Sequence, residues 1–468
     1  MSLYKHQQEA IDFAIKNGGK AALFHDPGCG KTRTTLEIFS HLRESVPNLK
    51  LLVVCPLSLI NAAWGEDTKK FTNFKYSPYL EMGREYDIVG INFESLIQPK
   101  RLKEIESLLK SGQWMIAVDE SSRMKNPKSM TTKALLAIAP LCRYRIIASG
   151  TPAPNGEYEF WAQAKFISAE SFADSFFAFR NAYFHLSRGK QMMSVRGLVV
   201  NRGMMQKIFQ QGWKYDITPE MREKLMDRMK PFSHWVRKED ALDLPEKIDE
   251  VRMVRLNPNE RKMYNEMKTH LVAEVKTGKK VDQITAEVAL AKLMKLRQAT
   301  SGFLYTEGHE AVRPGKSSKM RELEDLLEEL GKQQVIIWVQ FHEEIDKISE
   351  MLKESGKTFT TLYSGTENKE DSIKSFQTGE SQYLIAHPRS AGHGLTFVNC
   401  SAMVFLSLDY SFEAHAQARD RIHRIGQTKK CLYVYLIAQG TIDELVLQVL
   451  NKKRSLQDLL YELVKEEI

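Results

Sequence analysis

A nine-residue run near the start of the chain, Phe24-His25-Asp26-Pro27-Gly28-Cys29-Gly30-Lys31-Thr32, constrains the fold more than any other stretch. Residues 20–24 ahead of it read as a short buried strand, and Leu36, Ile38, Phe39 and Leu42 behind it recur at helical spacing. A glycine-rich turn between a strand and a helix gathers backbone N–H groups around one point, and the positive end of the helix favours an anion there. Lys31 would reach the outer phosphates of ATP and the Thr32 hydroxyl a magnesium ion, while Gly28 and Gly30, with Cys29 between them, leave the steric room a phosphate cradle needs. The run commits the first part of the chain to an α/β arrangement.

The full P-loop pattern has a glycine where this chain has His25, so a second motif decides the reading. Residues 114–118 form an apolar strand leading straight into Asp119-Glu120-Ser121-Ser122. Ligands of open α/β sheets bind outside the carboxyl ends of the strands, which is where these acids fall. Asp119 there is suited to holding the magnesium ion, and Glu120 to orienting and deprotonating the water that attacks the terminal phosphate. Two motifs naming one ligand outweigh the alternative, a pair of solvated acids capping a helix. Further strands at 49–56, 87–92 and 145–148 alternate with helical stretches, which predicts an α/β doubly wound domain.

Composition narrows compartment and partners. The 468 residues are 43% hydrophobic and 27% charged, the balance of a soluble globular protein with more than one core. A net charge of +8 suits nucleic acid without requiring it. Cys29, Cys55, Cys142, Cys400 and Cys431 are scattered, with no C-x-x-C pair, and read as buried thiols of a reducing compartment. No signal region opens the sequence and no apolar run is long enough to span a bilayer, so a cytoplasmic protein without membrane contact is expected.

Elsewhere, Gln7 precedes a helical pattern and can hydrogen-bond an adenine edge, although a polar residue on a helix surface explains it nearly as well. From 157 to 213 the βα rhythm stops and Phe160, Trp161, Phe166, Phe172, Phe176, Phe177, Phe179, Tyr183 and Phe184 crowd together. This reads as a helical insertion whose aromatics form a small core rather than a base-stacking platform, followed by a basic, glycine-bearing hairpin or loop at 188–202. Past a connector at 308–318 the βα rhythm restarts, giving a second α/β lobe with no P-loop of its own. A helix predicted over 414–425 carries Gln417, Arg421 and Arg424, which spacings of four and three put on one face. Two arginines aimed from a second lobe at a triphosphate would close a cleft around it, one acting as an arginine finger.

Gly28-Cys29-Gly30-Lys31-Thr32, Asp119-Glu120-Ser121-Ser122, Ser149-Gly150-Thr151-Pro152, Gln340-Phe341, residues 390–396 and the stretch Gln417 to Gln427 stand in the order of the superfamily-two helicase motifs. The last of these, with Arg237-Lys238-Glu239-Asp240 and Leu244-Pro245-Glu246-Lys247, resembles the SWI/SNF family of DNA-dependent ATPases, and the similarity runs from about Gln7 to Leu459. Residues 53–59 and 391–396 look closest to the annealing-helicase, fork-remodelling branch. The resemblance implies two RecA-like doubly wound lobes with helical insertions. They are an N-terminal ATP-binding lobe at 1–156, a helical insertion at 157–240, the end of lobe one with a linker and second protrusion at 241–318, a helicase lobe at 319–450 and a C-terminal brace helix at 451–468.

It also implies roles. Gln7 would sit on adenine, Lys31 and Thr32 on phosphate and magnesium, Asp119 and Glu120 on magnesium and water, Gln417, Arg421 and Arg424 on the nucleotide. Pro56, Ser58, Asn92 and Thr396 would face the DNA backbone. Two departures stand out: His25-Asp26-Pro27 replaces the usual Asp-Glu-Met, and Tyr410-Ser411-Phe412 stands where Trp-Asn-Pro is usual. The first leaves the cradle intact, and the second bears on how the second lobe grips DNA. With no chromatin-reading module appended, a prokaryotic or viral source is expected.

The reading is an ATP-driven, monomeric motor on double-stranded or branched DNA, serving replication, recombination or repair, with no protein partner named. The alternatives are a strand-separating helicase on DNA or RNA, and an ATP-gated clamp with little turnover. Because Lys31 is expected to contact only the ligand, Lys31→Ala should abolish ATP hydrolysis while circular dichroism and melting stay as in the parent. Normal turnover in that variant would remove the phosphate-site assignment.

Overall fold

The computed structural model describes residues 2–80, 85–154, 156–188, 191–194, 214–277, 286–306, 310–313, 315–388, 390 and 395–452. The chain divides into two units, Met1–Asp243 and Leu244–Ile468. In the first, α1 (Lys5–Lys16) leads to β1 (Lys20–His25), α2 (Lys31–Ser45) and β2 (Lys50–Cys55). A broken helical stretch follows, α3 (Leu57–Leu59), a π turn (Ile60–Gly65) and α4 (Glu66–Phe71), before β3 (Tyr76–Ser77) and β4 (Ile88–Asn92). Next come α5 (Pro99–Lys110), β5 (Trp114–Asp119), α6 (Met130–Ile138) and β6 (Tyr144–Ala148).

The insertion then supplies α7 (Phe160–Ile167), α8 (Phe176–Tyr183), β7 (His185–Arg188), β8 (Gln191–Ser194) and β9 (Lys214–Asp216), followed by a helix at Pro219–Met229 and β10 (Ser233–Val236). It is not purely helical, as the sequence led us to expect. Its three strands form an antiparallel sheet in the order β8-β7-β9, with Leu186 buried opposite Tyr215 and the Ser187 hydroxyl donating to Asp216 at 3.1 Å. The hairpin lies earlier than expected, and residues 195–202 of the basic stretch lie outside the described residues.

β10 returns to the main sheet, which runs β10-β1-β6-β5-β2-β4-β3 with every pair parallel. Helices cover both faces, so its central strands are apolar throughout: Leu51 to Cys55 and the whole of β5 are buried. Each such Val, Leu or Ile contributes about 1.5–3 kcal/mol on burial. One face packs Leu36, Phe39 and Trp64; the other packs Phe24, Leu52 and Ile116 together with Phe160, Trp161, Phe166, Phe172, Phe179 and Phe184. Six of the insertion's aromatics are thus a core continuous with the sheet, with Phe176 and Tyr183 partly buried against it and Phe177 48% exposed.

The second unit opens with β11 (Lys247–Val254), and long helices at Pro258–Thr277 and Ala286–Thr300 lead to a hairpin of β12 (Leu304–Tyr305) and β13 (Ala311–Val312). Then β14 (Val335–Trp338), β15 (Phe359–Leu362), β16 (Tyr383–Ala386), β17 (Ala402–Phe405) and β18 (Cys431–Ala438) alternate with helices at Ser318–Leu330, His342–Glu354, Lys369–Thr378 and Phe412–Arg419, and a helix at Ile442–Lys452 ends the described chain. Sheet order is β11-β18-β17-β14-β16-β15, again parallel. Local signals set the helix limits: Ser317 and Asn368 cap two N-termini, and Gly379, left-handed at φ 85°, ends the second of those helices. Buried Lys319 pairs with Asp443 and donates to the Leu406 carbonyl at 3.0 Å, so its charge is compensated.

Residues 247–254 belong to this second sheet and not to the end of the first lobe, where the sequence reading put them. Eight consecutive residues of β11 pair in register with β18, although Ile248, Val251 and Met253 on this edge stay 39–48% exposed. Residues 453–468 of the expected brace helix lie outside the described residues. Among the described residues no helix is long and apolar enough to cross a membrane.

One side-chain bond ties an edge strand of the first sheet to its neighbour. His25 Nε2 lies 3.0 Å from His234 Nδ1, joining β1 to β10, and His25 is fully buried. His25 Nδ1 has no hydrogen-bond partner among the described residues. It therefore serves best as the bare acceptor, with Nε2–H donated to His234. Burial, reinforced by His234, Lys31 and His6, pushes His25 down from 6.5 to about 2, and burial lowers His234 as well. Between those values the unfolded chain binds a proton that the folded one excludes. The stabilisation is therefore complete above pH 6.5 and is lost as pH falls, by about 1.4 kcal/mol per pH unit for His25. Urea unfolding of the first unit should show this steep loss between about pH 6.5 and pH 4.5. His25→Gln should flatten the slope, and an unchanged slope would contradict the neutral-pair assignment.

Candidate active site

Parallel strands all end on the same edge of the sheet, and the order β1-β6-β5 puts three functional tips side by side. They are the glycine turn after β1, Ser149-Gly150-Thr151-Pro152 after β6, and Asp119-Glu120 at the end of β5. β2 and β4 follow along the same edge with Pro56 and Asn92.

The turn is a formed cradle. Gly30 caps α2 in the left-handed conformation (φ 74°, ψ 34°), and a Cβ there would lie 2.3 Å from Gln7 Nε2, so no side chain fits. Lys31 Nζ donates to the carbonyls of His25 at 3.0 Å and Asp26 at 3.3 Å, across the mouth of the turn, so it does not contact the ligand alone as the sequence led us to expect. Consecutive residues of α1 hold consecutive carbonyls of the turn. Because a carbonyl only accepts, His6 donates Nε2–H to Cys29 O at 3.0 Å, and Gln7 Nε2 donates to Gly30 O at 3.4 Å. Gln7 is 1% exposed and its Oε1 accepts from Tyr4 N at 3.0 Å, so it is no surface residue of a helix. Thr32 sits at the start of α2, half-buried, beside Lys31.

Asp119 is buried at the end of β5, with Trp64 Nε1 donating to Oδ2 at 3.0 Å and Glu120 N to Oδ1 at 3.0 Å. Burial raises its carboxyl above the ordinary range, and the Glu120 charge raises it further while Lys31 opposes. A buried carboxylate held up in this way is relieved by a cation, so Asp119 with Thr32 fits a magnesium ion. Glu120 is the only non-glycine residue with positive φ among the described residues, at φ 57° and ψ 54°. Such a conformation costs on the order of 1–3 kcal/mol and persists where neighbours enforce it.

Trp64, His6, His234 and Gln163 were not singled out in the sequence, yet each is bonded to a motif residue. Gln163 of α7 is fully buried, accepts from Ser121 Oγ at 2.7 Å and donates to Pro152 O at 2.6 Å. An indole, an imidazole or an amide in an apolar run carries no local signal of such a partner. Of the residues expected to face DNA, Ser58 is exposed, Pro56 is buried, and Asn92 caps the following turn by accepting from Ser95 N at 3.2 Å.

In the second unit the helix predicted over 414–425 stops at Arg419, so Gln417, Arg421 and Arg424 do not share one helix face. Arg421 N turns to Ala418 O and not to Gln417 O, the bond that another helical step would need, which ends the ladder, and the Arg421 carbonyl accepts from Phe397 N at 2.9 Å. Arg421 is buried and donates from Nη1 to Leu395 O at 3.1 Å. Arg424 donates from Nε to Asp420 O at 2.8 Å and from Nη1 to the Thr396 hydroxyl at 3.1 Å, so two residues picked for different ligands share a bond. Residues 391–394 of the glycine-rich motif lie outside the described residues.

Residues 6–302 match the SNF2-related domain and residues 318–426 the helicase conserved C-terminal domain. The chain is 24% identical to putative protein p41 of Acyrthosiphon pisum secondary endosymbiont phage 1, over 94% of each chain. It is 24% identical to the transcription regulatory protein SNF2 of Saccharomyces cerevisiae over 92% of this chain and 26% of that protein. Against the chromodomain-helicase-DNA-binding protein 1-like of Danio rerio it is 23% identical over 97% of this chain and 43% of that one. It therefore spans nearly all of the phage protein and less than half of either eukaryotic relative. A solved structure, the Sulfolobus solfataricus SWI2/SNF2 ATPase core in complex with dsDNA, is 25% identical and covers 97% of this chain and 92% of its own, with a TM-score of 0.43. With 6–302 matched to that domain, a second helicase domain behind it and the cradle and acidic pair in place, the chain belongs to the SNF2-related family of helicase-like ATPases.

Proposed function

We propose that the protein is an ATP-hydrolysing motor that moves along double-stranded or branched DNA, in the branch migration or fork remodelling that replication, recombination and repair require. Lys31 and the amides opening α2 bind the phosphates once Lys31 exchanges the carbonyls of His25 and Asp26 for the ligand. Gln7 reads the adenine edge. Thr32 and Asp119 hold magnesium, which supplies charge neutralisation on the phosphates. Glu120, turned out of the strand by its left-handed backbone, takes the proton of the attacking water. Arg421 and Arg424 are assigned the charge that develops on the terminal phosphate, and Gln417 a contact to the nucleotide.

The burial of the insertion's aromatics carries the choice of track. Phe160, Trp161, Phe166, Phe172, Phe179 and Phe184 are all in the core, and the one exposed ring of the segment, Phe177, lies under the Arg180 guanidinium at 4.7 Å, so the described residues of the Phe-rich segment offer no row of rings for unpaired bases. Ser58, Asn92 and Thr396 offer hydrogen bonds suited to phosphates, which leaves base pairs intact. The helicase and DNA-binding terms in the zebrafish relative's name support a DNA substrate.

ATPase rates with duplex, forked, four-way and single-stranded DNA and with RNA test the reading. Duplex or branched DNA should stimulate most, without sequence preference, and the stimulation should fall steeply with salt as counterion release weakens. Efficient opening of a tailed duplex, driven best by single strands or RNA, would transfer the case to a strand-separating helicase. Glu120→Gln should keep nucleotide binding and lose at least ~10²-fold in rate. Arg424→Ala should behave likewise, and parental turnover in it would remove the arginine assignment.

A further inference from the structure

We infer that Gln163 is a positioning residue for hydrolysis, a two-sided amide that fixes the Glu120 turn against the tip of β6; this rests on Glu120 being the general base. Three bonds meet on its fully buried side chain: Ser121 Oγ donates to Oε1 at 2.7 Å, and Nε2 donates to Pro152 O at 2.6 Å and Glu159 O at 3.2 Å. Two carbonyls demand a donor and a hydroxyl proton demands an acceptor, so the orientation of the amide is set by chemistry. The Glu159 bond is local to α7, but the other two reach two different loops of the site. Ser121 directly follows Glu120, whose φ of 57° needs enforcement from its neighbours. Pro152 belongs to the same tip as Gly150, which packs so closely on the phosphate turn that a Cβ would come within 2.7 Å of Pro27 Cδ. A continuous path of contacts runs from the phosphate turn through Gly150 and Pro152 to Gln163, and on through Ser121 to Glu120. The amide supplies the acceptor and the donor from one side chain without a charge, so the path depends on this residue.

The prediction separates positioning from mere stability. Gln163→Leu keeps the volume and removes all three bonds; a misplaced base predicts a kcat at least ~10-fold lower, with KM for ATP within about twofold of the parent. Ser121→Ala removes one hydroxyl and should lower kcat in the same way, and the double variant should be no slower than the slower single one, because both changes break one path. Gln163→Glu keeps the acceptor and, when ionised, loses the donor. Its activity relative to the parent should rise as pH falls, as protonation restores an O–H for Pro152 O. Parental kcat in folded Gln163→Leu, or in Ser121→Ala if the former does not fold, would overturn the inference. Parental kcat in Glu120→Gln would instead overturn the assignment of the base on which it rests.

Discussion

Strand polarity is the constraint from which the rest of this molecule follows. In a sheet whose strands all run one way, every carboxyl end opens on one edge, and residues far apart in the chain arrive there together. β1, β6 and β5 are neighbours in space though not in sequence, so the phosphate turn, the Ser149–Pro152 tip and the acidic pair need only short side-chain bridges to become one assembly. The apolar interior of the sheet exists to hold those ends in register. The second unit repeats the parallel arrangement, with no phosphate turn among its described residues, and its loops carry Arg421, Arg424 and Thr396.

What was readable in the sequence was local. Gly28 to Thr32 and Asp119-Glu120 combine a spacing, a residue type and a strand context within a few positions, so both motifs and the βα alternation could be found without coordinates. Bonds between distant elements could not. Trp64 reaches Asp119 across 55 residues, Ser121 reaches Gln163 across 42 and His25 reaches His234 across 209. None of these partners differs in type from an ordinary core or surface residue. The second-lobe helix failed for a related reason: helical spacing continues through Arg424, but Arg421 N tightens onto Ala418 O and the chain beyond is held by a remote amide, Phe397 N, on the Arg421 carbonyl. β11 was misassigned because alternation gives a strand its faces and says nothing about which sheet it joins.

Histidine at position 25 changes the character of the floor beneath the phosphate turn. A carboxylate there would set a negative charge close to a bound anion, whereas a neutral imidazole bonded to another imidazole adds none. His6 adds a third ring 6.3 Å from His25 while its Nε2–H steadies the Cys29 carbonyl. The cradle thus rests on a hydrogen-bonded layer that fixes its shape, in which His25 and His234 bring no charge against the ligand.

The pairing of β11 with β18 joins the two ends of the second unit, and so bears on how a ribosome must deliver it. Roughly 180 residues separate the partners, which at ~5–20 residues per second is about 10–40 s of synthesis. Throughout that interval the nascent β11, with Ile248, Val251 and Met253 along it, has no strand to pair with. The first unit can finish its own sheet by then, since β10 closes it before β11 emerges. The topology therefore lets the first sheet close while the second unit is still being made, and the delay before β11 can pair is set by the length of the second unit.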